Sequence, residues 1–359
     1  MSRLIRAVVD RNALRHNLSV VRARAGSARV IAVVKANAYG HGLVSATRAL
    51  AGADAFAVAR LEEALTLRAA GIDGRILLLA GVFSAAQLAE AARARLDLVV
   101  HDARQIELLE GAGGAASLAV WLKIDSGMNR LGFACPQFPA ALARLKRLAA
   151  APRELRLLTH LACANERDDH TTAEQLERFR AATHGLDYEV SIANSAGLFG
   201  DLALGCQWVR PGLALYGASP FEDTPAERLG LKPAMTLTSS VIALRRIGRG
   251  EAVGYGGAWV APRDSVIAIV AAGYGDGVPR SCANGTPVLI AGERAPLVGR
   301  VSMDMVAVDV TELAAVEVGT TAVLWGDELP VEEVARHAGT IPYELLCSVS
   351  QRVPLEATS

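Results

Sequence analysis

The strongest constraint on the fold is an alternation of two kinds of segment over the first two-thirds of the chain. Short apolar runs rich in valine, isoleucine and leucine recur, separated by segments with the apolar spacing of amphipathic helices. Such alternation is typical of a parallel sheet covered by helices. Eight apolar runs match a (β/α)8 barrel, and an open doubly wound sheet with fewer strands is the alternative. The runs are residues 30–34, 55–59, 75–80, 96–101, 118–124, 155–161, 188–193 and 208–216, and the predicted helices include 61–70, 85–95, 103–110, 136–150 and 172–184.

The alternation ends at residues 217–233, where three prolines stand among glycine and acidic residues, as is typical of a linker. Afterwards the apolar residues mostly recur with period two, which predicts short β-strands separated by turns. We expect one helix at 331–338 and another after Pro342. The sequence therefore predicts an α/β chain in which a (β/α)8 barrel, residues 10–225, is followed by a mostly-β domain, residues 226–359. The period-two segments are 236–244, 265–271, 287–290 and 305–310.

The charge balance narrows the classes of partner. The chain has 37 lysine and arginine residues against 37 aspartate and glutamate residues, so it lacks the basic excess of a non-specific nucleic-acid binder. It also lacks an apolar run of about 18 residues, so we expect no membrane span. The five cysteines are scattered and show no zinc-binding spacing. We therefore expect reduced thiols, no metal centre and a cytoplasmic location.

Polar side chains stand at the ends of several predicted barrel strands. In barrels of this type, catalytic residues lie where the strands end, because all parallel strands end on the same side. The set is mainly cationic, which suits an anionic ligand such as a phosphate or a carboxylate. Its members are Lys35, Lys123, Asp125, His160, Asn194, Ser195 and Arg210.

Lys35 is the most informative of these residues. It follows the apolar run 30–34 and precedes a loop that contains Asn37, Tyr39 and two glycines. A lysine at such a position either stays solvated or ion-paired, or is desolvated so that its pKa falls and its amine can form a Schiff base. The residue types alone leave both interpretations open. The loop after Lys35 offers backbone amides and a hydroxyl group, which are ligands for a phosphate.

The string VVKANAYGHG, which begins at Val33, resembles the cofactor-lysine signature of the alanine racemases, a family of pyridoxal-phosphate (PLP) enzymes with a barrel. The resemblance continues in order over essentially the whole chain. Nine separated motifs in the same order are a specific signal. The other eight are WLKIDSGMNRLGF from Trp121, THLA from Thr159, ANSAG from Ala193, VRPGLALYGASP from Val209, VGYGGAW from Val253, AAGYGDGVPR from Ala271, VGRVSMDM from Val298 and IPYELLCSVSQRVP from Ile341.

The resemblance implies an isomerase that interconverts L-alanine and D-alanine through a PLP aldimine by a two-base mechanism. Lys35 would hold PLP as a Schiff base and act as the base on the D-alanine face. Tyr255 of the partner subunit would act on the L-alanine face, so the enzyme would be a homodimer with shared active sites. A tyrosine is a poor base unless its phenolate is stabilised. We therefore expect cationic groups near Tyr255 and an activity that rises toward alkaline pH.

The resemblance also implies roles for the residues around PLP. Arg210 would face the pyridine nitrogen and leave it unprotonated, with His160 orienting the guanidinium. Arg130 would contact the phenolic oxygen of PLP and the substrate carboxylate, and Lys123 would be carbamylated so that it pairs with Arg130. The phosphate would be bound by Tyr39, Ser195, Tyr343 and the backbone amides of Gly212 and Leu213, and the substrate pocket would include Met303, Asp304 and Tyr274 of the partner subunit.

Three alternatives stay open beside this interpretation. Another PLP-dependent amino-acid racemase or decarboxylase could share the architecture, with a bulkier substrate pocket. A non-catalytic PLP carrier would resemble the barrel alone, and a metal-dependent barrel hydrolase would need clustered histidines and carboxylates at the strand ends. In the family, residues 1–9 join the β domain. The resemblance leaves open whether the reaction supplies D-alanine as a peptidoglycan precursor or serves alanine breakdown.

Overall fold

A strand and a long helix precede the barrel in the computed structural model, which describes residues 4–112, 118–149, 151–200, 202 and 205–358. They are β1 (Arg6–Asp10) and α1 (Arg11–Ala25). The helix begins directly after the strand because the Asp10 carboxylate accepts hydrogen bonds from the backbone N–H groups of the first helical turn. The buried side chain of Asn17 then ties α1 to the linker through the backbone N–H and carbonyl of Lys232, both at 2.8 Å.

Eight parallel strands form a closed barrel, which confirms the predicted fold class. Each strand pairs with the next, and the last pairs with the first, so the ring of eight strands is closed. Several strands are buried on both faces, as the continuous apolar runs predicted. The strands are β2 (Arg29–Val33), β3 (Ala55–Val58), β4 (Ile76–Leu78), β5 (Asp97–Val100), β6 (Ala119–Asp125), β8 (Glu154–Leu158), β9 (Val190–Ser191) and β10 (Trp208–Val209), while β7 (Phe133–Ala134) only extends the sheet beside β6.

The last barrel strand is shorter than predicted. The apolar run 208–216 forms a strand only at Trp208–Val209 and then a 3-10 turn at Leu213–Tyr216. Pro211 has no N–H group to donate to a parallel ladder, so the strand cannot continue through it. The turn that replaces the strand lies at the mouth of the barrel.

Helices follow the barrel strands and cover the sheet. The five segments predicted as helices are confirmed, with ends that shift by a few residues. Three further short helical segments add to these, α2 and α3 after the first barrel strand and α9 after the seventh. The helical elements are α2 (Lys35–Tyr39), α3 (Leu43–Ala49), α4 (Leu61–Ala69), α5 (Ala85–Arg93), α6 (Ala103–Ala112), α7 (Phe138–Lys146), α8 (Thr171–Thr183) and α9 (Ser195–Phe199).

The second part of the chain is mostly β-structure, as predicted. Its long first strand pairs with one neighbour through residues 237–240 and with another through residues 241–247, so six strands close on themselves. Strand β1 pairs antiparallel with that long strand and parallel with the last strand of the chain. The elements are β11 (Met235–Ile247), β12 (Ala252–Val253), β13 (Trp259–Val260), β14 (Ser265–Val270), β15 (Pro287–Ile290), β16 (Glu293–Val298), β17 (Val306–Asp309), β18 (Thr321–Trp325), α10 (Val331–His337), α11 (Pro342–Ser348) and β19 (Leu355–Thr358).

A network of charges and tryptophans lies where the barrel strands begin, at the end opposite the predicted site. Arg75 donates to Asp97 at 2.7 Å and to Glu154 at 3.0 Å, and Trp121 donates to Asp97 at 3.0 Å. Each charged group in the network has a partner of opposite sign, which offsets the cost of its burial. The members of this floor network are Arg29, Arg75, Asp97, Trp121, Glu154, Arg156, Glu189 and Trp208.

The floor network predicts a stability that depends on acidic pH. The hydrogen bond from Arg75 and the neighbouring Arg156 lower the pKa of Glu154 from 4.5 to about 2. A carboxyl group whose pKa is lower in the folded state stabilises the fold above its unfolded pKa, and this contribution is lost as pH falls. We expect Glu154→Gln to lower the free energy of unfolding at pH 6 and to flatten its decline between pH 6 and pH 3, measured by urea unfolding.

Glu110→Gln is the matched control, because Glu110 pairs with Arg144 at the exposed surface. Surface pairs contribute little, so this variant should retain a pH dependence close to that of the native chain. An unfolding profile of Glu154→Gln that runs parallel to the native profile would contradict the proposed contribution of the floor network.

Candidate active site

Lys35 stands at the end of strand β2, at the start of a left-handed turn. The next four residues, Ala36 to Tyr39, all have φ between +52° and +55°. A left-handed conformation costs roughly 1–2 kcal/mol for each non-glycine residue, so four in succession need support from their surroundings. Such strain concentrates at functional sites.

Three side chains support the turn, one from the turn itself and two from outside it. The backbone N–H of Ala36 donates to Glu63 at 2.7 Å, and the Asn37 side chain accepts from the N–H of Leu43 at 2.8 Å. The buried His41 ring bonds through Nδ1 to the carbonyl of Tyr39 at 2.8 Å. These contacts hold the backbone between Lys35 and Tyr39 in one conformation.

The amine of Lys35 lies in an electropositive surrounding. Burial and, after it, the charge of Arg130 lower the pKa of Lys35. A neutral amine is the form that attacks a carbonyl or accepts a proton. Partial burial and the neighbouring charge of Arg130 therefore favour the desolvated amine among the two interpretations that the sequence left open.

Lys123 lies close to the same group of cations on strand β6, with only 8% of its surface exposed. Burial, followed by the charges of Arg210 and Arg130, lowers the pKa of Lys123 to about 8. The charge of Asp125 instead raises the pKa of Lys123. The Asp125 carboxylate also accepts hydrogen bonds from three backbone N–H groups of the following loop. That loop leads to Arg130, which is exposed.

Arg210 is buried at the end of strand β10 and is held by neutral acceptors. It donates to the Ser191 hydroxyl at 2.5 Å, to the carbonyl of Thr159 at 2.6 Å and to Nδ1 of His160 at 3.3 Å. Burial lowers the pKa of Arg210 to about 10, which still leaves it charged near neutral pH. Since the guanidinium can only donate, Nδ1 of His160 is the acceptor and the ring proton lies on Nε2.

His160 is an uncharged ring in this arrangement. Burial, and then the charge of Arg210, lower the pKa of His160 well below its ordinary value. The predicted contact between His160 and Arg210 is therefore present. Ser191 and Thr159 were not predicted as site residues, although a polar residue within an otherwise apolar strand run was the available signal.

A group of donors beside Lys35 forms a cradle at the predicted phosphate position. The Ser195 hydroxyl accepts from the N–H groups of Gly212 at 3.0 Å and Ala214 at 3.2 Å, and Leu213 stands between them. A Cβ at Gly212 would collide with the Tyr39 hydroxyl, so a side chain here would displace the tyrosine. While its oxygen accepts these two bonds, the Ser195 hydroxyl can still donate its own proton to a phosphate oxygen.

Aromatic rings form one wall of this cradle. The ring of Tyr39 stacks on Tyr216 with centroids 4.7 Å apart, and Tyr343 from helix α11 lies 5.9 Å from Tyr39. Burial raises the pKa of Tyr39 and raises that of Tyr343 to about 12, so both are hydroxyl donors at neutral pH. Helix α11 lies close to the left-handed turn, because a Cβ at Gly40 would collide with the carbonyl of Leu346.

The other four predicted site residues lie on loops of the β domain. Tyr255 is 67% exposed, Met303 52% and Tyr274 42%, and Asp304 is also exposed. The N–H of Tyr274 donates to the carbonyl of Ser302 at 3.0 Å, so two of these loops adjoin. The Arg300 guanidinium lies beside Gly256, next to Tyr255. In this single chain the four side chains lie on the surface, whereas Lys35, Lys123 and Arg210 lie at the barrel mouth.

Over the described ranges, histidine, cysteine and carboxylate side chains do not assemble in groups of three or more that could hold a metal ion. In the same part of the chain, none of the helices has the length and apolar character needed to cross a membrane.

Comparisons with known proteins agree with this geometry. The family model "Alanine racemase, N-terminal domain" matches residues 9–220, and "Alanine racemase, C-terminal domain" matches residues 234–357. A protein of Vibrio parahaemolyticus named alanine racemase is 48% identical over 98% of this chain and 99% of its own length. The crystal structure of the biosynthetic alanine racemase of Pseudomonas aeruginosa superposes with a TM-score of 0.97 at 48% identity and covers 100% of both chains. The alanine racemase structure of Acinetobacter baumannii gives a TM-score of 0.94 at 41% identity, over 99% of this chain and 100% of its own. The chain therefore belongs to the alanine racemase family.

Proposed function

We propose that the chain interconverts L-alanine and D-alanine with PLP as its cofactor. The observation on which the proposal rests is the position of Lys35, a desolvated amine beside a cradle of hydroxyl and amide donors. An aldehyde with a phosphate group requires that combination. The names of the relatives favour alanine over the substrates of another racemase or a decarboxylase.

The donor set of the site fits PLP. Lys35 is the attachment point, and the Tyr39 and Ser195 hydroxyls with the amides of Gly212 and Leu213 would hold the phosphate, together with Tyr343. Arg130 would pair with the phenolic oxygen of the cofactor and with the substrate carboxylate. The chemistry supplied by bound PLP is the withdrawal of electrons from the α-carbon, which acidifies the α-proton of the amino acid.

Arg210 would limit that withdrawal. Its guanidinium would donate a hydrogen bond to the pyridine nitrogen of bound PLP, and it does not give up its proton at neutral pH. With Arg210 in this position the pyridine nitrogen would stay unprotonated, so PLP would withdraw electrons less strongly and side reactions would be suppressed. The acceptors at Ser191, Thr159 and His160 orient the guanidinium for this contact.

Two bases on opposite faces would move the α-proton. Neutral Lys35 accepts it on the D-alanine face, and the phenolate of Tyr255 accepts it on the L-alanine face. When one base removes the proton from its own face, the protonated form of the other base donates a proton to the opposite face, so configuration inverts. Since Tyr255 is exposed on the β domain, we assign this role to Tyr255 of the partner subunit.

The assembly that follows is a homodimer with shared active sites. Exposed apolar side chains on the β domain, among them Tyr255, Tyr274, Met303 and Met305, support an interface there. The division into a barrel of residues 10–225 and a β domain of residues 226–359 joined by residues 1–9 belongs to the same proposal, and the pairing of β1 with β11 supports it. The proposal also includes a cytoplasmic location, where alanine and PLP are available.

The proposal predicts that Lys35 is required for exchange of the α-proton. In deuterated water, the native chain with PLP should introduce α-deuterium into both alanine enantiomers, measured by NMR. We expect Lys35→Ala to lower turnover by roughly 10²–10⁴-fold or more, because it removes both the attachment point and one base. Lys146→Ala, an exposed lysine on α7, is the control. Absence of deuterium from both products with Lys35 intact would overturn the proposal.

A second prediction concerns Tyr255. We expect Tyr255→Phe to lower racemisation by roughly 10²–10⁴-fold while D-alanine continues to exchange its α-proton, because the base on that face is intact. The native rate should rise toward alkaline pH, because a base accepts a proton only in its deprotonated form. Tyr188→Phe, in the barrel, serves as the control. Equal loss of exchange from both enantiomers in Tyr255→Phe, or a flat pH–rate profile of the native chain, would contradict the assignment.

A third prediction concerns Lys123, which we propose to be carbamylated. A neutral amine adds to CO2 and releases one proton, and the resulting carbamate can pair with Arg130. Because the pKa of Lys123 is about 8, the neutral fraction is small at pH 6.5 and large at pH 8.5. We expect a carbamate signal in 13C NMR with labelled bicarbonate that grows over this range and is missing from Lys123→Ala. An unmodified Lys123 at pH 8.5 in saturating bicarbonate would exclude the modification.

A further inference from the structure

Arg352, just after helix α11, links two loops of the β domain. Its Nε lies 2.8 Å from the Asp276 carboxylate, and its Nη2 donates to Asp304 at 2.7 Å. Asp276 is buried, whereas Asp304 and Arg352 are about half exposed. One guanidinium therefore joins a buried anchor to an exposed site residue.

The anchor is built into the loop that bears Tyr274. The second Asp276 oxygen accepts from the N–H of Gly273 at 2.9 Å, and the Asp276 carbonyl accepts from the N–H of Ser350 at 3.1 Å. A Cβ at Gly275 would lie 2.8 Å from the Arg352 guanidinium and 3.0 Å from the Met303 carbonyl. The absence of a side chain at this glycine allows the arginine and both loops to approach one another.

The two joined loops are those that we propose to reach the active site of a second copy. They contain Tyr274, Met303 and Asp304, which adjoin through the hydrogen bond from the N–H of Gly275 to the carbonyl of Met303 at 2.9 Å. We propose that Arg352 is a positioning residue that holds Met303 and Asp304 in the geometry in which they contact alanine in the partner's site. This inference rests on the proposed function, because it requires the shared active site.

The planar guanidinium explains why an arginine suits this position. Its fork presents several N–H groups at fixed angles, so it can bond to two carboxylates at once. A lysine is a point charge on a flexible stem and would neutralise the buried Asp276 without fixing Asp304. Arg352→Lys therefore separates the positioning role from the cost of an unpaired buried carboxylate, which Arg352→Gln would also incur.

The segment from helix α11 to Arg352 contacts two different sites, and its α11 end lies against the chain's own site. Tyr343 and Leu346 of α11 lie against Tyr39 and Gly40, whereas Arg352 contacts the loops assigned to the partner's site. A substitution at Arg352 should therefore leave the binding of PLP to its own chain unaltered. It should change the binding of alanine in the active site of the partner subunit.

The first test compares Arg352→Lys with the native holoenzyme. We expect KM for alanine to rise about tenfold with a smaller change in kcat, as for a lost substrate-positioning contact. The Kd for PLP, from the visible absorbance of the bound cofactor, should stay within about twofold, and thermal unfolding should be similar. Arg294→Lys is the control, because Arg294 forms a comparably exposed fork with Glu333 in the same domain. A native KM in Arg352→Lys would overturn the inference.

The second test asks in which subunit Arg352 acts. Mixed dimers of Arg352→Lys with Lys35→Ala, isolated with two affinity tags, contain one site with native Lys35 and native loops, so KM should return to the native value. Mixed dimers of Lys35→Ala with Tyr255→Phe should likewise regain activity and serve as the test of the shared site itself. If the mixed dimer of Lys35→Ala with Tyr255→Phe stays inactive, the proposal of shared active sites is wrong. If it is active but the first pair keeps a raised KM, Arg352 acts within its own chain and the positioning role in the partner's site is wrong.

Discussion

Parallel strands in a closed barrel all end on the same side, and this places Lys35, Lys123 and Arg210 near one another at one rim. Buried cations that repel one another are unfavourable unless they are deprotonated, paired or bound to an anion. The chain offers this cluster mostly neutral acceptors, such as the Ser191 hydroxyl and the Thr159 carbonyl. The result is a site in which amines have lowered pKa values and an anionic ligand is favoured.

The two ends of the barrel use charge in opposite ways. Where the strands begin, each arginine of the floor network has a carboxylate partner, and this end stabilises the fold. Where the strands end, the cations outnumber the carboxylates. One of the carboxylates, Asp125, also accepts hydrogen bonds from the backbone of its own loop. A barrel of this type can tolerate an unbalanced mouth because its core and its floor supply the stability, while the strained turn at Ala36–Tyr39 is held by contacts from Glu63, Asn37 and His41.

The β domain contributes to the site in two ways. Helix α11 packs against the chain's own turn, and Tyr343 extends the aromatic wall around Tyr39. The loops with Tyr255, Tyr274 and Met303 instead face solvent in the single chain. In the proposed dimer, each barrel supplies one base and the cofactor cradle, and the other subunit supplies the second base. Such an arrangement makes catalysis depend on association, since neither chain alone holds bases on both faces of the substrate.

The sequence by itself determined the barrel, the mostly-β second part and the location of Lys35 at a strand end, because hydrophobic period and helix spacing are local properties of the chain. Its ordered motifs were sufficient to indicate the family. The tertiary structure alone decided what depends on contacts between distant segments. Ser191 and Thr159 become the acceptors of Arg210 only when three strands end side by side, and the left-handed turn forms only where Glu63 and His41 support it. The fork of Arg352 likewise reaches Asp304 and Asp276, which stand 48 and 76 residues earlier in the sequence. No local pattern encodes such pairs, because their energy comes from burial and geometry that exist only after the chain has folded.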